Sequence, residues 1–142
     1  MEIYEVKTIS DTIFNAFKKL IPQLTGDQTF PKKEYLEAVI NSGNTLIFLA
    51  EEDDIILGAL TLIFNKIPTG TKAWIEDVVV DEAARGKGVG KKLTQFAIEY
   101  ALAKGIIKID LTSSPERIAA NKLYQKLGFI KRETNVYRYN TK

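Results

Sequence analysis

Six residues, Arg85-Gly86-Lys87-Gly88-Val89-Gly90, place three alternating glycines behind an apolar run and ahead of a helical pattern. Glycine in place of alanine costs roughly 0.5–1 kcal/mol inside a regular element, so three of them imply a use. A strand, a glycine-rich bend and a helix N-terminus together form an anion site. Exposed N–H groups and the positive helix end converge there, and the missing side chains let a ligand approach the backbone. Lys87, Lys91 and Lys92 add positive charge, and a phosphate or pyrophosphate suits such a place. Just upstream, Glu76 and Asp77 stand side by side in the apolar run W-I-E-D-V-V-V at residues 74–80. Two carboxylates in an apolar strand are costly unless solvated or used. In a regular strand Glu76, Val78 and Val80 share one face, and Asp77 and Val79 the other.

The chain contains no cysteine and no histidine. Disulfides, zinc–thiolate sites and thiol nucleophiles are therefore absent, as is the commonest general base and metal ligand. No metal centre is expected, and acid–base chemistry falls to Asp, Glu, Tyr, Lys or water. The length of 142 residues and the 45% hydrophobic content suit a single globular domain over 1–142. A net charge of +2 is too small to argue for nucleic acid or an anionic membrane. The N-terminus lacks the apolar core of a signal peptide, and the nearly apolar run at residues 55–64 is about half a membrane span. A soluble, cytoplasmic protein is the expectation.

Positioning the glycines and the acids requires the following elements. Residues 2–7 alternate as a short strand. Residues 11–21 carry Ile13, Phe17 and Leu20 at helical spacing, with Ser10 as cap and Pro22 as stop. A polar linker at 23–30 leads to a second helix, with Pro31 in its first turn and Tyr35, Leu36, Val39 and Ile40 as its apolar stripe. Residues 45–50 and 55–64 read as a hairpin about the acidic turn 51–54, and residues 73–80 as the strand before the glycines. The helix after them buries Val89, Leu93, Phe96, Ala97 and Tyr100 and ends at Gly105. Residues 106–112 form a strand. Ser113 and Glu116 have capping-box spacing for a helix closing at Gly128, whose core stripe is Ala119, Leu123 and Leu127. Residues 129–139 read as a final strand or hairpin. The order β-α-α-β-β-β-α-β-α-β is that of a mixed α+β domain.

Three phosphate-binding patterns compete for the glycines. A P-loop would need glycine at Arg85 and Ser or Thr at Lys92, and fails twice. A dinucleotide fingerprint would need its third glycine at Lys91 or Leu93, although Asp110 would suit a ribose. The third pattern fits: Arg85 to Gly90 resembles the R-x-x-G-x-G signature of the GNAT superfamily of acyl-CoA N-acyltransferases. Residues 120–129, A-N-K-L-Y-Q-K-L-G-F, resemble that family's later motif of Ala-Asn, tyrosine and Gly-Phe. One helix and one strand separate the two motifs, as in the family.

The resemblance implies a GNAT fold, with a mixed central β-sheet flanked by helices, and acetyl-CoA as cosubstrate. Its pyrophosphate would lie on Arg85, Gly86, Lys87, Gly88, Val89, Gly90 and Lys91, and its pantetheine arm along Val78, Val79 and Val80. Glu76 is then the general base, directly or through water, with Asp77 in reserve. Tyr124 is implied as the general acid for the departing thiolate, and Asn121 as a coenzyme contact. Lys122 and Lys126 read as solvated face, and Trp74 and Tyr100 as core. Without cysteine, transfer would be direct in a ternary complex. Glu76 and Asp77, with a contribution from 51–54, favour a cationic small-molecule amine as acceptor, with a peptide amine as the alternative. The stretch from Ile75 to Gly88 is also similar to glucosamine-6-phosphate N-acetyltransferases, on the coenzyme half where relatives agree whatever their substrate. An acyl-CoA-binding sensor without turnover is the competing class. Neither nucleic acid nor membrane is an expected partner, and the resemblance allows a homodimer.

Overall fold

The acidic stretch reverses the chain with two residues. Asp53 and Asp54 both have positive φ, 52° and 63°, as a type I′ hairpin turn requires, and aspartate enters that region more readily than most residues. The turn joins β2 (Thr45–Glu52) to β3 (Ile55–Ile67). The computed structural model describes residues 1–142 and contains two compact units, Met1–Thr112 and Ser113–Lys142.

In the first unit, β1 (Glu2–Glu5), β2, β3, β4 (Gly70–Val80) and β5 (Ile109–Leu111) form one sheet in sequence order. All neighbours are antiparallel except β4 and β5, which run parallel. One face carries α1 (Asp11–Thr25) and α2 (Lys33–Ile40). There Phe17, Leu20 and Leu36 pack on Ile47, Leu49, Ala59 and Val79. The other face carries α3 (Val89–Ala103), where the Phe48 ring meets Phe96 and Tyr100 at 5.0 and 5.3 Å. No helix is long and apolar enough to cross a membrane.

Helix α1 starts where expected, with the Ile13 N–H donating to Ser10 Oγ at 3.2 Å. It does not stop at Pro22. The proline removes one helical donor, but Ile21 and Leu24 still pack against the core on the buried side. The helix continues to Thr25 and closes when the Gly26 N–H donates to Pro22 O at 2.9 Å. Gln23, expected in a linker, is therefore helical. Strand β5 is also shorter than the expected 106–112. It pairs only with Ala73, Trp74 and Ile75, so the β5 side of β4 has no strand partner from Glu76 onward.

In the second unit, α4 (Ile118–Lys126) begins later than the capping-box spacing indicates. Pro115 and Glu116 form a turn instead, closed by the Arg117 N–H on Ser114 O at 3.0 Å. Ser113 Oγ is buried without a hydrogen-bond partner. Of the expected core stripe, Ala119 is exposed and Leu123 and Leu127 are half-buried, whereas Tyr124 is buried. Residues 129–139 form no strand. After the Phe129 N–H donates to Tyr124 O at 3.0 Å, the main chain pairs with nothing, and Ile130, Val136, Tyr137 and Tyr139 are exposed. An alternating pattern becomes a strand only where another edge takes its main-chain bonds.

Candidate active site

The glycine bend leaves β4 through Asp81 and a single 3₁₀ turn at Glu82–Ala84. Gly86 and Gly88 then adopt φ of 86° and 77°, left-handed backbone that costs other residues about 1–2 kcal/mol. Gly88 caps α3, and Gly90 lies in its first turn. The helix first closes with the Lys92 N–H on Gly88 O at 3.1 Å. The N–H groups of Gly86, Gly88, Val89, Gly90 and Lys91 therefore have no acceptor within the chain. Five free donors sit at the positive end of a 15-residue helix. Arg85, Lys87, Lys91 and Lys92 are exposed around them. The arrangement fits a diphosphate: many main-chain donors, no side chain in the way, and cations at the rim.

The strand before the bend is irregular. Thr61 opposes Glu76 and Ala59 opposes Val79, so Leu60 stands against both Asp77 and Val78. This is a β-bulge, with Asp77 at φ 49°. The bulge overturns the facing expected for a regular strand: Glu76 shares its side of the sheet with Val79, not with Val80. That side is the one covered by α1 and α2, while Val80, opposite Gly58, faces α3. Asp77 is exposed on the bulge. Trp74, expected in the core, is half-buried, and its indole Nε1–H donates to Glu76 Oε1. Glu76 thus has a partner that fixes its orientation, two residues earlier on the same face.

Asp81 opens the bend and is 3% exposed. Its carboxylate accepts from Lys19 Nζ at 2.7 Å, the Ala83 N–H at 3.2 Å and Gln23 Nε2 at 3.3 Å. Gln23 Oε1 in turn accepts from the Glu82 N–H at 2.9 Å. The Lys19 ammonium holds the Asp81 carboxyl below its ordinary range, outweighing the opposing effect of burial. None of these three residues is marked by a motif. The only signal in the sequence is an aspartate directly before the turn, where a short side chain can cap the following N–H groups.

Elsewhere the acids do not gather. Glu51, Glu52, Asp53 and Asp54 line a depression of about 510 Å³ with Met1 and Glu2. Thr61, the partner of Glu76, lies seven positions beyond Asp54 along β3. At about 3.3 Å per residue this is roughly 20 Å, so the expected contribution of 51–54 beside Glu76 is not made. In the second unit, Tyr124 meets Phe129 edge-on at 5.9 Å. Burial raises its phenol above the ordinary value, partly offset by the Arg117 charge. Asn121 Nδ2 donates to Ser114 O at 2.9 Å, so its amide nitrogen braces the turn before α4.

The family profile described as "Acetyltransferase (GNAT) family" matches residues 11–129. The chain belongs to the GNAT acetyltransferase family. Among curated relatives of this GNAT protein, glucosamine 6-phosphate N-acetyltransferase 1 of Oryza sativa subsp. japonica is 34% identical over 70 residues. That match covers 49% of this chain and 41% of the rice protein, so the chain spans under half of that relative's length. An uncharacterized N-acetyltransferase of Bacillus subtilis (strain 168), YhdJ, is 33% identical over 98 residues, covering 66% of this chain and 68% of its own. The crystal structure of an aminoglycoside acetyltransferase from an uncultured soil metagenomic sample superposes with a TM-score of 0.85. It covers 99% of this GNAT chain and 95% of that one at 23% identity, a likeness of fold. The α+β GNAT architecture expected from the two motifs is the one observed.

Proposed function

We propose that this GNAT protein transfers the acetyl group of acetyl-CoA to a primary amine of a small molecule. The observation that carries this reading is the set of five unpaired N–H groups from Gly86 to Lys91, which suits the coenzyme diphosphate. The open side of β4 at Val78, Val79 and Val80 suits an extended amide-bearing arm. Acetyl-CoA supplies the activated acyl group. The names of relatives support a small amine acceptor, since they specify glucosamine 6-phosphate and aminoglycosides.

An alkylamine is mostly ammonium at neutral pH, given a lysine reference pKa of about 10.4. Glu76, held by Trp74 on the α1 and α2 side of the sheet, takes the amine proton directly or through one water. The freed nitrogen lone pair attacks the thioester carbonyl carbon, and as the adduct collapses the C–S bond breaks and the nitrogen gives up its second proton to water, leaving a neutral amide. Tyr124, kept protonated by burial, returns a proton to the thiolate, a role that rests on the family's tyrosine motif. Asp77, solvated on its bulge, contributes negative charge and no proton transfer. Transfer is direct, with no acyl-enzyme. Following thiol release with acetyl-CoA and a panel of amines tests the reading. Glu76→Gln should lower amine-dependent release about 10²–10⁴-fold and leave coenzyme binding unchanged. Coenzyme binding without release for any amine would favour a sensor and overturn the proposal.

A further inference from the structure

We infer that Gln23 and Asp81 are positioning residues for the diphosphate bend, so that helix α1 sets the shape of that bend. The inference rests on the reading of the bend as a diphosphate site. Gln23 uses both ends of one amide on consecutive turn residues. Its Oε1 accepts from the Glu82 N–H at 2.9 Å, and its Nε2 donates to Asp81 Oδ1 at 3.3 Å. The same Asp81 oxygen accepts from the Ala83 N–H at 3.2 Å, and the other takes Lys19 Nζ at 2.7 Å.

The Asp81 side chain is 5% exposed, and a buried carboxylate is tolerated only with its partners in place. Two of those partners come from α1. The clasp fixes the near end of the bend, and the buried Val89 and Leu93 beside Gly58 fix the far end. Between them, the left-handed Gly86 and Gly88 direct the free N–H groups. Helix α1 also covers the sheet face on which Glu76 lies, so one helix serves the base and the bend together. Its run past Pro22 is what delivers Gln23 to Glu82.

The test compares two probes by NMR titration of the full chain: coenzyme A, which carries the diphosphate, and pantetheine, which lacks it. Gln23→Leu removes both amide bonds at nearly constant volume. Asp81→Asn keeps an acceptor for Ala83 and removes the Lys19 ion pair. Each should weaken coenzyme A by about tenfold, the effect of roughly one to two lost hydrogen bonds, and leave pantetheine unchanged. Unchanged coenzyme A affinity in both variants would overturn the positioning role. A parallel loss for both probes would also overturn it, by reducing the clasp to general scaffolding. If Asp81→Asn does not fold, Gln23→Leu alone decides. Wild-type protein that binds the two probes equally would instead contradict the diphosphate reading itself.

Discussion

Gly58 separates two uses of glycine in this chain. Its backbone is not left-handed, but a Cβ there would lie 2.8 Å from Val79 O, 3.0 Å from Val89 Cγ1 and 3.3 Å from Leu93 Cδ1. The first neighbour is main chain of the adjacent strand and cannot rotate away. Gly58→Ala must therefore push β3 from β4 or lift the first turn of α3 off the sheet. Overpacking of this kind costs about 1–3 kcal/mol. At roughly 2–4 °C per kcal/mol for a chain of this size, Tm should fall by roughly 2–12 °C. Because Val89 sits in the turn that carries the free N–H groups, coenzyme affinity should fall with it. Gly86 provides the contrast: a Cβ there meets nothing within 4 Å, and only φ +86° opposes it. Gly86→Ala should cost about 1–2 kcal/mol, and Gly86→Asn should recover part of that, because asparagine enters the left-handed region more readily. Gly58→Asn should recover nothing. Thermal melts and calorimetric titration with coenzyme A measure all four variants. An unchanged Tm for Gly58→Ala, or a rescue by asparagine at position 58, would refute the close-approach reasoning.

Trp74→Phe deletes the indole donor on Glu76 and should cost the reaction roughly 10- to 100-fold in amine-dependent rate, the worth of a hydrogen bond to a charged group. Coenzyme affinity should not change, and an unchanged rate would free Glu76 from dependence on Trp74. Tyr124→Phe should lower turnover by about 10²-fold with unchanged coenzyme affinity. The wild-type tyrosine has its pKa raised above 10.0, so its alkaline limb should lie above that pH; a limb well below it would assign the proton to another group. Tyr4 is pushed up to about 12 from 10.0 by burial and by Glu51, to which its hydroxyl donates at 2.9 Å. The folded state thus favours the neutral phenol, so stability from this group is complete below pH 10.0 and is lost between pH 10.0 and about 12. Melts across that window should fall more steeply for wild type than for Tyr4→Phe, and parallel curves would remove the effect.

What could be seen in the sequence were features that a residue type enforces locally. Gly86 and Gly88 announce left-handed backbone because few other residues accept it, and Ser10 announces a helix start because its hydroxyl reaches the N–H three residues on. The bulge at Asp77 left no such sign. No glycine marks it, and a regular period of two put Val80 where Val79 stands. Gln23 looked like linker because Pro22 precedes it, and its partners Asp81 and Glu82 lie 58 and 59 residues away. Trp74 reads as core by composition, and only the backbone geometry turns its N–H onto Glu76. The alternating residues 129–139 carry a strand pattern, but pairing depends on a second edge, which a single segment cannot specify. The two motifs nonetheless led to the family, since both are written in residues that backbone geometry or a ligand constrains.

The five unpaired main-chain N–H groups of the glycine bend can be observed directly by amide NMR. In a ¹H–¹⁵N titration of the full chain with coenzyme A, the Gly86, Gly88, Val89, Gly90 and Lys91 resonances should move downfield together and saturate with one affinity. Saturable binding that leaves those five amides in place, or no binding at all, would contradict the reading of the bend as a diphosphate site.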